Sequence, residues 1–146
     1  MEKWRIGIVR KLKIYIAGAV REQAYREYVH RVYGDHPQLE LLDPIRIVEQ
    51  VFPDVVEKDK LLIEQSDILV AYVQSPSFGT VMEIIYAFEK GVPVYLINPN
   101  KEHMMNYWIR YHSTKFFETI SACFDEIIQE NMREHTPSHF RATTSA

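Results

Sequence analysis

Short apolar runs alternate with stretches of helical periodicity along most of the chain. The apolar runs are rich in β-branched and aromatic residues, which is typical of strands; they cover residues 13–17, 39–42, 68–73, 93–97 and a short segment near 115–117. The stretches with helical composition are residues 21–33, 56–65, 80–90, 104–111 and 120–133. Because the central runs have no polar face, we expect helices on both sides of a parallel sheet. The sequence therefore predicts an α/β, flavodoxin/Rossmann-like three-layer sandwich with a central parallel sheet of about five strands.

Three loops of this predicted fold follow the carboxyl ends of strands, where open α/β sheets bind their ligands. They are residues 18–21, 74–79 and 98–103. We expect one domain at residues 13–133, preceded by an N-terminal arm of residues 1–12. The polar residues 134–146 are expected to form a disordered tail.

Composition narrows the range of partners. The 146 residues carry a formal net charge of −3, which argues against nucleic acid because phosphate-backbone binding needs a basic surface. No run approaches the ~20 apolar residues of a membrane span, and basic residues interrupt the apolar stretch that a signal peptide would need. The single cysteine, Cys123, fits a reducing compartment. We expect a cytoplasmic protein that binds a small molecule, with no nucleic-acid and no membrane partner.

Neither a metal nor a cofactor is indicated by the motifs. The six histidines show no metal-ligand spacing within a predicted element, since His135 and His139 flank Pro137 in the tail. The chain contains no G-x-x-x-x-G-K-[ST] and no G-x-G-x-x-G motif, so triphosphate and dinucleotide sites of those types are unsupported. We therefore expect no metal and no cofactor.

The most informative segment runs from the strand at residues 68–73 into the following helix. Gly79 and Thr80 are expected to open this helix, so that its first N–H groups point into the ligand region and favour anions. Glu83 is then expected in the first turn. Spacing alone leaves two interpretations open. Thr80 and Glu83 could form a capping box, in which the carboxylate reaches back to the cap N–H, or Glu83 could be a reactive carboxylate.

This segment and the first strand resemble the nucleoside 2-deoxyribosyltransferase superfamily. The helix start GTVME at residues 79–83 resembles the family's helix, and KIYIAG at residues 13–18 resembles its first strand. Asp59 lies eight residues before Asp67, a spacing that is also seen in the family. The resemblance extends over residues 13–99 and implies an enzyme that cleaves the bond between a nucleobase and its sugar.

The resemblance also implies roles for three side chains. Glu83 would be the nucleophile that attacks the anomeric carbon, kept ionised by the helix N-terminus. Asp59 would be the general acid that protonates the departing base, and Tyr15 would orient the nucleophile. Without the resemblance, Asp59 is better interpreted as a solvated helix carboxylate, and a core tyrosine is an equally good interpretation of Tyr15.

The loop at residues 74–79 indicates a particular branch of the superfamily. The transferases usually have an acidic residue six positions before the nucleophile, whereas this chain has Ser77. A serine there, together with Arg21, resembles the nucleoside 5′-monophosphate N-glycosidases, and arginine suits phosphate because its donors form a bidentate fork. Ala19 departs from that branch, which often has a hydroxyl there. The expected substrate and phosphate contacts are Gly18, Arg21, Ser77, Gly79, Thr80 and Asn106.

The family resemblance further implies a homodimer in which residues 98–111 reach into the neighbouring subunit. That segment contains His103, Asn106 and Tyr107. Three alternatives remain beside the monophosphate N-glycosidase. They are deoxyribosyl transfer between free bases, glycosidic cleavage of an NAD-type substrate, and a non-catalytic nucleotide-binding module that keeps Glu83 as a cap.

Overall fold

The central sheet has five parallel strands, as the hydrophobic pattern predicts. In the computed structural model, which describes residues 10–75, 77–100 and 106–134, the strand order is β2-β1-β3-β4-β5. The strands are β1 (Leu12–Gly18), β2 (Leu39–Leu42), β3 (Ile68–Tyr72), β4 (Val94–Ile97) and β5 (Lys115–Phe117). This is the flavodoxin-like order, so the predicted fold class is confirmed.

The described parts of the chain contain six helices, of which the last follows β5 and the others lie between strands. They are α1 (Gln23–Tyr33), α2 (Pro44–Ile47), α3 (Asp54–Gln65), α4 (Phe78–Glu89), α5 (Tyr107–Tyr111) and α6 (Ile120–Glu134). The sequence pattern did not predict α2, which is a single turn. It forms because Asp43 caps it, with Oδ1 accepting a hydrogen bond of 3.1 Å from the Ile45 N–H, and Pro44 takes the first helical position.

Two apolar cores form because successive side chains of a strand point to opposite faces. In β1, Ile14 and Ile16 pack in one core with residues of α1 and α6. Tyr15 and Ala17 pack in the other core with residues of α3, α4 and α5. The buried β1 segment therefore joins both layers, and Tyr15 faces the side on which α4 lies.

The strand order reverses between β1 and β3, which are neighbours in the sheet. The chain leaves β1 toward β2 on one side and leaves β3 toward β4 on the other, so the loops after the two strands diverge and open a crevice. Gly18 ends β1 where an aromatic ring passes closely. A Cβ there would lie 3.1 Å from Cε1 of Tyr25, whose ring stacks on Tyr72 at a centroid distance of 4.6 Å.

The ends of the predicted domain differ from the observed elements by a residue. Leu12, assigned to the predicted arm, already belongs to β1, and Glu134, assigned to the predicted tail, ends α6. The remaining tail and residues 1–9 lie outside the described residues, as does His103. Within the described ranges, no helix combines the length and the apolar character that crossing a bilayer requires.

Candidate active site

The hydroxyl of Ser77 sets the start of α4. Its Oγ accepts a hydrogen bond of 3.2 Å from the Thr80 N–H and lies 3.0 Å from Thr80 Oγ1. The helix therefore begins at Phe78, and Glu83 lies in the second turn. The expectation that Glu83 lies in the first turn is wrong, and so is the capping-box interpretation, because the cap residue is Ser77 and not Thr80.

The Glu83 carboxyl group is buried among charged and polar neighbours. Burial first, and the nearby Asp59 carboxylate second, raise the pKa of Glu83 to about 8, although the Tyr15 hydroxyl and the Arg26 guanidinium oppose this shift. Burial therefore favours the protonated form of Glu83 and acts against the expected effect of the helix N-terminus. One turn deeper in the helix, the cost of removing the carboxylate from water exceeds the helix-dipole contribution.

Asp59 faces the same space from α3. A cleft of about 600 Å³ lies between α3 and α4, and both Asp59 and Glu83 line it together with Gly79, Met82 and Tyr86. Burial raises the pKa of Asp59, and its Oδ1 is buried without a hydrogen-bond partner among the described residues. Two carboxyl groups with raised pKa values that share a cleft can serve as nucleophile and proton donor.

Tyr15 is fully buried, and its hydroxyl lies near the Glu83 carboxyl group. Burial raises the pKa of Tyr15 far above its ordinary value, and the charges of Glu83 and Asp59 add to this. The phenol therefore remains a donor at all accessible pH values. It lies close enough to lower the pKa of Glu83, but the contact falls short of regular hydrogen-bond geometry. Among the described residues, Tyr15 Oη and Glu83 Oε2 make no regular hydrogen bond.

Arg21 bridges the two loops that diverge at the crevice. Its Nη2 donates to the Ser75 carbonyl at 3.1 Å and to Ser75 Oγ at 2.6 Å. The structure thus brings an exposed guanidinium to the loop that holds Ser77. Gly79 lies beside Ser77 and Glu83, since a Cβ at this position would be 3.9 Å from Ser77 Oγ and 4.0 Å from Glu83 Oε1. This edge of the site therefore has an exposed guanidinium and the hydroxyl of Ser77 close to Gly79.

Three other residues that were predicted to contact the substrate make hydrogen bonds within the protein. Thr80 is buried, and its hydroxyl is taken up by Ser77. The Gly18 carbonyl accepts a hydrogen bond of 2.7 Å from Arg26 Nη2. Asn106 caps α5, accepting 3.1 Å from the Ile109 N–H. Contacts of these residues with a substrate stay predictions.

The sequence did not single out Arg26 and Asp43, which are both buried. Arg26 precedes the buried Val29 and Tyr33 by three and seven residues, so helical periodicity places it on the apolar face of α1. The burial of Arg26 could have been predicted from that spacing. The burial of Asp43 depends on the tertiary pairing of β2 with β1, which no local pattern reveals.

Within the described parts of the chain, no three His, Cys, Asp or Glu side chains are grouped so that they could hold a metal ion. The described residues of this site include two carboxyl groups, a phenol and two guanidinium groups. The expectation of no metal stays a prediction.

No family model matches the chain. A protein of Thermofilum pendens, named as an inferred 2′-deoxynucleoside 5′-phosphate N-hydrolase, is 32% identical to it over 96 residues. The match covers 57% of this chain and 65% of the relative. The chain therefore spans just under two thirds of the length of the relative that it matches.

Solved structures of similar fold include two enzymes named for reactions at the glycosidic bond. A 2-deoxyribosyltransferase from Leishmania mexicana has a TM-score of 0.66 at 19% identity, covering 81% of this chain and 97% of its own. A CMP N-glycosidase from Clostridium botulinum has a TM-score of 0.56 at 21% identity, covering 80% and 97%. At these identities the similarity shows the fold.

The raised pKa of Glu83 predicts a pH-dependent stability. The folded protein keeps a proton that the unfolded chain loses between the ordinary value of 4.5 and about 8. The contribution of Glu83 to the free energy of unfolding is fully present below pH 4.5. It is lost as the pH rises to about 8, by at most about 1.4 kcal/mol per pH unit. Denaturant unfolding between pH 5 and 8.5 should show a smaller decline for Glu83→Gln than for wild type.

The matched control is Glu40→Gln, which removes an exposed carboxylate of β2 and should follow the wild-type decline. Equal declines in wild type and Glu83→Gln would contradict the raised pKa.

Proposed function

We propose that this chain, which has the fold of the nucleoside 2-deoxyribosyltransferase superfamily, hydrolyses the N-glycosidic bond of a nucleoside 5′-monophosphate. The products are the free base and (deoxy)ribose 5-phosphate. One observation carries the proposal: Glu83 and Asp59 line a single cleft beside the crevice at the carboxyl ends of β1 and β3. This pairing was expected from the family resemblance, and the resemblance is confirmed by the relatives.

The proposed reaction proceeds in two steps through a covalent intermediate. In the first step the ionised Glu83 carboxylate attacks C1′ of the sugar, and the bond from C1′ to the base nitrogen breaks. The electron pair of that bond stays with the base, which takes a proton from Asp59. In the second step Asp59 accepts a proton from water, whose oxygen attacks C1′ and releases Glu83 as a carboxylate.

This sequence needs the proton on Asp59 and the charge on Glu83. Burial favours the opposite, because it raises the pKa of Glu83 to about 8. Positive charge that develops at C1′ favours the carboxylate form of Glu83, and the Tyr15 hydroxyl and Arg26 act in the same direction. At pH values where Asp59 still keeps its proton, kcat/KM is therefore expected to rise with pH, because more of the free enzyme carries an ionised Glu83.

The 5′-phosphate is proposed to lie against Arg21, Ser77 and the Gly79 backbone. The contact of Arg21 with Ser75 supports this, because it holds the guanidinium beside the start of α4. A neutral Ser77 leaves that corner free of the negative charge that would repel a phosphate dianion. The Thermofilum pendens relative is also named for a 5′-phosphate substrate.

Base exchange is the second candidate, because the similarity to the Leishmania mexicana deoxyribosyltransferase has the higher TM-score of the two structures described. The two reactions differ in the acceptor that attacks the glycosylated Glu83, which is water in hydrolysis and a second base in transfer. A non-catalytic module that keeps Glu83 as a helix cap is disfavoured, because Ser77 provides the cap.

A homodimer is also proposed. Exposed apolar side chains lie on α4 and α5, including Phe78 at 94% exposure, Met82 at 67%, Tyr107 at 77% and Trp108 at 69%. Met82 also lines the cleft, so a second copy packed on this surface would both cover the apolar groups and supply a further wall for the site.

Release of free base tests the proposed activity. Wild type should release base from at least one member of a panel of nucleosides, nucleoside 5′-monophosphates and NAD, as measured by chromatography. Glu83→Gln should abolish release while the circular dichroism spectrum stays unchanged, because an amide is a poor nucleophile. Addition of a second base distinguishes transfer from hydrolysis. Near-normal release by Glu83→Gln would refute the nucleophile assignment.

Arg21→Ala should lower kcat/KM for the 5′-monophosphate by roughly ten- to a hundredfold, the scale of one charged hydrogen bond. Any activity on the unphosphorylated nucleoside should stay nearly unchanged, because Arg21 lies on the phosphate side. Steady-state kinetics on a nucleoside and its monophosphate check this. If wild type prefers the bare nucleoside, the phosphate assignment is wrong and base exchange becomes the leading function.

Sedimentation at micromolar concentration tests the dimer. Wild type should sediment at about twice the 17.3 kDa of the chain, and Trp108→Glu should dissociate it by placing a charge in the apolar surface. Phe52→Glu is the matched control, since Phe52 is 84% exposed but lies outside this surface. A single 17.3 kDa species in fully active wild type would contradict the proposal.

A further inference from the structure

The cleft between α3 and α4 continues on both sides of Glu83. Along α4 its lining residues recur every three or four positions and so share one face of the helix; they include Gly79, Met82, Glu83 and Tyr86. Tyr86 lies three residues beyond Glu83, about 4.5 Å along the helix axis. Gly79 lies four residues before Glu83, about 6 Å in the opposite direction. The cleft therefore has one arm toward Gly79 and another toward Tyr86.

The two proposed contacts of the substrate decide which of its parts lies in the Tyr86 arm. The 5′-phosphate is proposed to lie at the Gly79 backbone, and Glu83 is proposed to attack C1′. A nucleotide carries its phosphate on C5′ and its base on C1′, so the sugar separates the two groups. A substrate with its phosphate near Gly79 and C1′ at Glu83 therefore extends its base toward Tyr86, within the same cleft of about 600 Å³.

The Tyr86 ring is held in place in this arm. Its hydroxyl donates a hydrogen bond of 2.5 Å to Glu64 Oε1. Lys90 Nζ lies 3.7 Å from the same oxygen and 5.5 Å from the centroid of the Tyr86 ring. The ring also packs against the core that contains Tyr15. An aromatic ring held in this way can stack on a planar base, and stacking tolerates every base because each has a π-face.

Lys60 brings a hydrogen-bond donor to the side of that ring. It lines the cleft, and its Nζ lies 5.4 Å from the Tyr86 ring centroid. Its ion pair with Glu57 spans 4.0 Å, and the two side chains are 43% and 76% exposed, so the pair contributes little to stability. The ammonium group can therefore move from the ring to the edge of a stacked base at low cost.

The charge of Lys60 favours some bases over others. The charged residues that line the cleft, as far as the structure describes them, are Asp59, Lys60, Glu83 and Glu89, so Lys60 provides the cation. An ammonium group only donates hydrogen bonds. Thymine and guanine present a carbonyl oxygen, whereas adenine presents an amino group. An amino group that faces Lys60 would set donor against donor, which disfavours adenine.

We propose that Tyr86 and Lys60 form the base-binding part of the site, in which Tyr86 stacks on the nucleobase and Lys60 donates a hydrogen bond to a ring carbonyl. The preferred substrates are then monophosphates of bases that carry a ring carbonyl, and adenine monophosphates are poor substrates. This inference rests on the proposed function for its catalytic meaning, but selective binding of a nucleotide does not need turnover. Lys60 determines specificity and takes no part in proton transfer.

Calorimetry on the full-length Glu83→Gln protein tests the proposal without turnover. The probes are uridine and adenosine 5′-monophosphates, each in its ribose and 2′-deoxyribose form. Lys60→Met, added to Glu83→Gln, should weaken binding of the uridine nucleotide about tenfold, the low end for a charged hydrogen bond. It should leave binding of the adenosine nucleotide nearly unchanged. Lys58→Met is the matched control, because Lys58 is an exposed lysine of the same helix, and should alter neither affinity.

Substitutions of Tyr86 test the stacking contact in the same assay. Tyr86→Leu should weaken binding of both nucleotides by about fivefold or more, the scale of a base stacked on an aromatic side chain. Tyr86→Phe keeps the ring and should retain most of the affinity. If Tyr86→Leu does not fold, the half-exposed Lys60 still allows the test through Lys60→Met.

Base release provides the second readout. In the active protein, Lys60→Met should lower kcat/KM for the uridine nucleotide about tenfold relative to the adenosine nucleotide. Equal effects on the two nucleotides, or no binding of either, would overturn the proposal. So would a Tyr86→Leu protein that changes its sedimentation and keeps its affinities, since the arm would then contact a second copy of the chain. Base-selective binding in a protein that releases no base would refute the proposed function alone.

Discussion

The burial of the Glu83 carboxyl group in the second turn of α4 is the constraint on which the arrangement of the candidate site depends. Since the side chains of a helix lean toward its N-terminus, Glu83 lies back over Gly79, where a Cβ would be 4.0 Å from its Oε1. The fully buried Tyr15 lies beneath. The strand, the helix start and the glycine are thus arranged around one desolvated group whose pKa is raised to about 8.

The electrostatic balance at Glu83 can be judged by magnitude. A neighbouring charge typically moves a pKa by 1–3 units, whereas full burial can move it by 3–5. One cation such as Arg26, itself partly compensated by Asp43 at 3.7 Å, is therefore too weak to restore the ordinary pKa of Glu83. The Tyr15 hydroxyl and Arg26 together still leave that pKa at about 8. A carboxyl group in this range changes charge readily when positive charge develops beside it.

The sequence was sufficient for the fold and for part of the site. The apolar runs predicted all five strands because the central strands are buried on both faces. The family resemblance, and not spacing alone, selected Glu83, Asp59 and Arg21, and their roles stay predictions. The start of α4 was misplaced because Ser77 and Thr80 are both good caps, and only the Ser77 Oγ contact with the Thr80 N–H decides between them. The Arg26–Asp43 pair was not predicted, because the two residues are 17 positions apart and meet only when the strands pair.

The crevice at the strand-order reversal connects anion binding with the reactive carboxyl group. Arg21 and Ser75 hold together the loops that follow β1 and β3, and Ser77, two residues further on, caps the helix that carries Glu83. Arg21 is exposed, so exchanging its Ser75 contacts for phosphate oxygens costs little desolvation. A phosphate held by Arg21 and Ser77 would fasten both loops to one ligand. Binding energy from the non-reacting end of the proposed substrate would then hold C1′ against Glu83, where it lowers the barrier.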